Sequence, residues 1–116
     1  MASVLLIEDE ALIRMMIVDM LADLGHSVAG EAADLPAGLS LAETADCDAA
    51  ILDVQLGPDH SEAIAYVLKR RAIPFAFATG YASKGLPEGF RDQPVLRKPF
   101  PTEELDRCMR ALLSRA

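Results

Sequence analysis

Tryptophan is absent from this 116-residue chain, aromatics make up 5% of it, and cysteine occurs twice, at Cys47 and Cys108. Two isolated cysteines match no metal or redox spacing and exclude a disulfide scaffold, so each reads as a small apolar group in a reducing compartment. Basic residues are also scarce: eleven Lys and Arg against eighteen Asp and Glu give a formal charge of -7. Phosphate neutralisation needs a basic stripe, and the scattered cations here argue against a nucleic-acid partner. No apolar run approaches the roughly 18 residues of a membrane span, and the N-terminus enters a strand pattern directly rather than a leader. The expectation is a cytoplasmic protein with no membrane partner, a single domain over residues 1–116 and length enough for an unaided core.

What is present is an alternation of short apolar runs and amphipathic stretches. Ser3 to Ile7 is a continuous apolar strand followed by Glu8-Asp9-Glu10. From Ala11 to Leu24, Ile13, Met16, Ile17, Met20, Leu21 and Leu24 recur at helical spacing and read as core, with Gly25 as the stop. His26 reads as a polar loop residue. Ser27 to Ala32 is a short strand, and Asp34-Leu35-Pro36 supplies a cap and a first-turn proline for a helix to about Glu43. Asp46 and Asp48 read as solvated turn residues. Ala49 to Asp53 is a strand without polar alternation, as expected where both faces of a sheet are covered. Gly57-Pro58-Asp59-His60 is turn chemistry, and His60 alone in a loop reads as a solvated side chain; a helix follows to about Arg71. Phe75 to Thr79 is another buried strand. From Ala82 to Gln93 the glycines and Pro87 make any helix weak, Pro94 to Arg97 is a short edge strand, and Thr102 opens a closing helix. Five strands alternating with four or five helices predict an α/β fold: a parallel sheet in a three-layer sandwich with right-handed crossovers.

Four of these strands end on Glu8-Asp9, Asp53, Thr79 and Lys98. In a parallel sheet those ends share one edge, where ligands gather. Three carboxylates brought together repel, and keeping them ionised calls for a divalent cation. Oxygen ligands without His or thiolate suit Mg²⁺. Mg²⁺, an ammonium and a hydroxyl donor together are suited to stabilising a phosphoryl group in transfer, and a carboxylate among them is a natural acceptor.

The Glu8-Asp9 pair, Asp53, Thr79 and Lys98-Pro99 at these spacings resemble the receiver domain of two-component response regulators, over essentially the whole chain. The resemblance implies a doubly wound, flavodoxin-like (CheY-like) sheet of strand order 2-1-3-4-5. The run Pro74-Phe75-Ala76-Phe77-Ala78-Thr79-Gly80-Tyr81 further resembles the subfamily called FAT GUY, typically single-domain regulators of alphaproteobacteria, which favours a role in a general stress response. By that resemblance Asp53 is the phosphoacceptor. Asp9, Asp53 and the backbone carbonyl of Gln55 hold Mg²⁺, with Glu8 acting through a bound water. Thr79 donates to a phosphoryl oxygen, Lys98 pairs with the carboxylate and then the phosphate, the Lys98–Pro99 bond is cis, and Thr79, Gly80 and Tyr81 form the switch. The implied partners are a sensor histidine kinase or histidine phosphotransfer protein and a downstream protein, for a monomer or weak dimer that is a phosphoacceptor rather than a turnover enzyme.

One departure stands out. Receivers commonly carry an aromatic three residues before the lysine, and Val95 stands there. Signalling is therefore expected to pass through Tyr81 or the segment from Ala82 to Gln93, while Gln55 and Tyr81 flank the route of water to the modified Asp53. Two rivals remain at this stage. A haloacid-dehalogenase-type phosphatase needs a second Asp two residues after the first, where this chain has Gln55. A non-phosphorylated binding module of the same fold would have no use for the intact acceptor set.

Overall fold

The computed structural model describes residues 1–80, 86, 87, 89, 90 and 92–114. Tyr81 and half of the segment from 82 to 93, on which the signalling expectation falls, lie outside the described residues. In chain order the elements are β1 (Ser3–Ile7), α1 (Ala11–Asp23), β2 (Ser27–Ala32), α2 (Leu35–Thr44) and β3 (Ala49–Asp53). They continue as β4 (Gln55–Leu56), β5 (Asp59–His60), α3 (Glu62–Arg70), β6 (Phe75–Thr79), β7 (Val95–Arg97) and α4 (Thr102–Leu113).

The five-stranded sheet has the order β2-β1-β3-β6-β7, and every pair in it is parallel. Counted among sheet strands alone, this is 2-1-3-4-5, the flavodoxin-like order. Successive strand residues face opposite layers. Leu5, Ile7, Ala50, Leu52, Phe75 and Phe77 pack with Ala42 of α2 and Ile64, Ala65 and Leu68 of α3. Val4, Leu6, Ala49, Ile51, Ala76 and Ala78 pack with Ile17 and Leu21 of α1 and Leu105, Met109 and Leu112 of α4. Coverage of both faces explains why β1, β3 and β6 carry no polar alternation. Phe90 is fully buried against Phe75 and Phe77, with Lys69 over its ring, and so anchors the connection between β6 and β7.

Local chemistry sets the element ends. The Asp34 carboxylate accepts from the Ala37 amide at 2.9 Å, capping α2 as expected, and Gly25 after α1 has φ +86°, a conformation L side chains rarely adopt. Three expectations need correction. Residues Gly57 to His60 are not a bare turn: β4 and β5 form an antiparallel hairpin, because a buried Leu56 and a buried Ser61 fix its base. Ser61 holds that base: its hydroxyl donates to the Val54 carbonyl at 3.0 Å. Met16 is not core but 43% exposed, beside Leu12 and Met15, because α1 meets the sheet along the stripe of Ile17 and Leu21, flanked by Ile13, Met20 and Leu24. His26 and Asp48 are not merely solvated, since they accept from the backbone amides of Ala2 and Ser3 and tie down the first strand.

Helices α2 and α3 approach closely where Gly38 is buried: a Cβ there would lie 2.6 Å from Ile64 Cδ1 and 3.2 Å from Ile7 Cγ2. Overpacking costs roughly 1–3 kcal/mol, against about 1 kcal/mol of helix propensity gained by leaving glycine. Gly38→Ala is therefore expected to destabilise the protein by about 1 kcal/mol in urea unfolding. In an Ile64→Val background, which removes the obstructing methyl, the same change is expected to be neutral or stabilising; equal destabilisation in both backgrounds would refute this packing account.

Candidate functional site

The carboxyl ends of β1, β3, β6 and β7 open into one cleft of about 700 Å³, lined by Asp9, Glu10, Ile13, Asp53, Val54, Gln55, His60, Thr79, Gly80, Lys98 and Pro99. The parallel register brings them there: Leu52 lies opposite both Ile7 and Phe77, Asp53 opposite Ala78, and Thr79 opposite Arg97. The Lys98 amide donates to the Thr79 carbonyl at 2.8 Å, carrying the ladder one step further, and the Lys98–Pro99 bond is cis.

At the centre is the Lys98 ammonium. Its Nζ lies 2.9 Å from Glu8 Oε1, 3.1 Å from Asp53 Oδ2 and 3.8 Å from Glu10 Oε1. Glu8, Asp53 and Thr79 are 1%, 5% and 2% exposed, so these polar groups sit inside the protein rather than on its rim. The other Asp53 oxygen accepts from the Gln55 amide at 3.2 Å, and Asp9 Oδ2 accepts from the Gly57 amide at 2.9 Å. The hairpin thus reaches over the cleft and holds both aspartates through backbone donors, an arrangement that needs a left-handed residue at its tip; Gly57 has φ +61°. The predicted set Glu8, Asp9, Asp53, Gln55, Thr79, Gly80 and Lys98 is brought together, and only Tyr81 of the predicted switch lies outside the described residues.

Two participants were not singled out from sequence, Glu10 and the Gly57 amide, while His60 is exposed as its loop position implies. Carboxylate oxygens of Glu8, Asp9 and Glu10 all lie within 4.8 Å of one another, so Glu10 belongs to the acidic group at its exposed edge. His60 lines the cleft from the hairpin. The Gly57 amide is a backbone donor that no residue pattern announces, although a Gly-Pro pair four residues after Asp53 marks a sharp turn there.

The electrostatics follow from burying several acids around one cation. Burial pushes Glu8 up to about 7, against the lowering pull of its ion pair with Lys98 and of the Glu10 amide. Burial also raises Asp53, in spite of hydrogen bonds with Glu8 and Lys98. Asp9 is held low: burial raises it, but the Gly57 amide and hydrogen bonds with Asp53 and Glu8 outweigh that. Burial lowers Lys98, but its partners Glu8 and Asp53 prevail and hold the ammonium above its usual range. The site is short of positive charge, and its all-oxygen donors suit a hard divalent cation.

These shifts set a pH dependence. Between about 4.5 and about 7 folded Glu8 keeps a proton that the unfolded chain releases, so stability falls as pH rises through that interval when no divalent cation is present. Raised Asp53 adds a slope of the same sign. Glu8→Gln is expected to flatten the curve in urea unfolding across this range; an undiminished slope in that variant would show that Glu8 is already ionised there.

Similarity to known proteins agrees with this geometry. The transcriptional regulatory protein PdtaR of Mycobacterium tuberculosis is 34% identical over 116 residues, covering 97% of this chain and 57% of PdtaR, so the chain spans little more than half that relative's length. The solution structure of SdrG from Sphingomonas melonis Fr1 is similar with a TM-score of 0.87 at 40% identity, covering 97% of both chains. The receiver domain of the sensor histidine kinase PA1611 from Pseudomonas aeruginosa PAO1, which has a magnesium ion coordinated in its active site cleft, is similar with a TM-score of 0.80 at 25% identity, over 97% of this chain and 98% of that one. Residues 4–110 match the response regulator receiver domain, and with the acid-and-lysine cleft at the sheet edge this places the chain in the receiver domain family of two-component response regulators.

Proposed function

We propose that the protein is a single-domain phosphoacceptor in which Asp53 takes a phosphoryl group from a phosphohistidine on a sensor histidine kinase or histidine phosphotransfer protein. One observation carries this reading: Lys98 Nζ sits 3.1 Å from Asp53 and 2.9 Å from Glu8 in a cleft shared with Asp9 and Thr79. An Asp53 oxygen attacks phosphorus, the P–N bond of the donor breaks, and its electron pair stays on the imidazole nitrogen, leaving an acyl phosphate on this chain. Lys98 holds the carboxylate in place and then pairs with the phosphoryl oxygens, while the Thr79 hydroxyl donates to one of them. Gln55 and Gly57 fix the two carboxylates through backbone donors to Asp53 and Asp9.

The donor set fits Mg²⁺, which Glu8, Asp9, Asp53 and the Gln55 carbonyl would hold. Bound there, the ion supplies the positive charge that developing phosphoryl oxygens require. Leu12, Met15 and Met16 are exposed on α1, whose Ile13 lines the cleft. Exposed apolar side chains on a helix that also lines the cleft suit a protein donor. The output is contact with a downstream protein, with Thr79, Gly80 and Tyr81 as the switch. The FAT GUY resemblance of residues 74–81 favours a cytoplasmic stress-response circuit, in which the protein relays or drains phosphoryl groups.

Incubation with acetyl phosphate and Mg²⁺ is expected to leave one acid-labile phosphate per chain, and none on Asp53→Asn. Lys98→Ala is expected to slow labelling by about a hundredfold or more, as for loss of an electrostatic stabiliser. Continuous phosphate release without a labelled chain would favour a phosphatase instead, and neither labelling nor release a binding module.

A further inference from the structure

Helix α1 starts without the usual fastening. Its N-cap, Glu10, makes no side-chain cap hydrogen bond, and its first turn carries no acidic residue. Yet the turn before it presents Glu8 and Asp9, whose directions decide whether a cation site exists. The turn is held from the side instead. Arg14 Nη1 donates to the Glu8 carbonyl at 2.8 Å, and Arg14 Nε lies 3.3 Å from Glu31 Oε1 on β2. On its other flank, the Glu8 amide donates to the Ala32 carbonyl at 3.0 Å.

We infer that Arg14 is a positioning residue for the cation site, fixing the Glu8–Asp9 peptide by bridging it to Glu31. The peptide is planar, so the carbonyl that Arg14 holds sets the direction of the bond into Asp9. Both peptides of Glu8 are then restrained, one by the sheet and one by the guanidinium. The ion pair with Glu31 contributes little to stability, since its side chains are 21% and 44% exposed. Its effect is geometric: a planar fork with two donors spans a carbonyl and a carboxylate on different elements, which a single ammonium does less well.

This inference rests on the cation-dependent reading of the site, and charge makes it testable by sign. A cation near an acidic site repels Mg²⁺, so if Arg14 acts only as a charge, Arg14→Met binds Mg²⁺ more tightly than the wild type. If it positions the turn, binding weakens, and Arg14→Lys, which keeps the charge and loses the fork, weakens as well. Calorimetric titration of the purified chain with MgCl₂ is expected to give roughly tenfold weaker binding for both variants, the scale seen when groups that orient metal ligands are lost. Faster amide exchange at Glu8 to Glu10 is expected alongside, with unchanged exchange in β3 and β6 reporting an intact fold. Arg14→Met binding as tightly as wild type, or more tightly, overturns the inference. If that variant does not fold, wild-type affinity in Arg14→Lys overturns it and weakened affinity supports it. A wild-type chain that takes up no Mg²⁺ overturns the cation-dependent reading, and this inference with it.

Discussion

The Lys98 ammonium between Glu8 and Asp53 is the interaction on which the rest of the structure depends. Removing charges from water costs several kcal/mol per ion, and this is recovered only where partners stand at hydrogen-bond distance. Here one buried cation meets two buried acids from different strands, with a third, Asp9, held low beside them. Neutralisation is incomplete, and the proton that Glu8 retains up to about 7 is the fold's response. A cleft in that state is poised for more positive charge, which is why the same residues that complicate stability suit a cation.

The architecture around it exists to keep those groups from relaxing. Strands β1, β3 and β6 are buried on both faces, so their ends cannot shift without disturbing two packed layers at once. Where the sheet stops, other devices take over. The hairpin ties Asp9 and Asp53 through Gly57 and Gln55, and Ser61 pins the hairpin's base to Val54. Phe90 wedges the β6–β7 connection into the core beside Phe77, which fixes the strand that delivers Thr79.

Much of this was legible in the residues. Continuous apolar runs ending on acid, hydroxyl and amine define strands and their functional ends together, because parallel pairing leaves only one edge for all of them. What escaped has physical causes. Helical spacing placed Met16 in the core, but α1 is apolar on more than one side, and spacing alone does not say which stripe meets the sheet. The hairpin was hidden because its strands are two residues each and are stabilised by contacts at their base rather than by pattern. The role of Arg14 left no trace in the pattern, since its partners Glu8 and Glu31 become neighbours only after β1 and β2 pair.

The exposed side of α1 and the restrained turn before it bear on each other. A helix that leaves Leu12 and Met15 in water gains less from packing than one with a single apolar stripe, and most helical stability comes from such packing. With no side-chain cap either, α1 has less than usual to hold its first turn in register with β1. The side-chain bridge from Arg14 to the Glu8 carbonyl and Glu31 makes good that deficit at the one point where register decides the direction of two carboxylates. An apolar surface can thus remain available beside the cleft without loosening the acids within it.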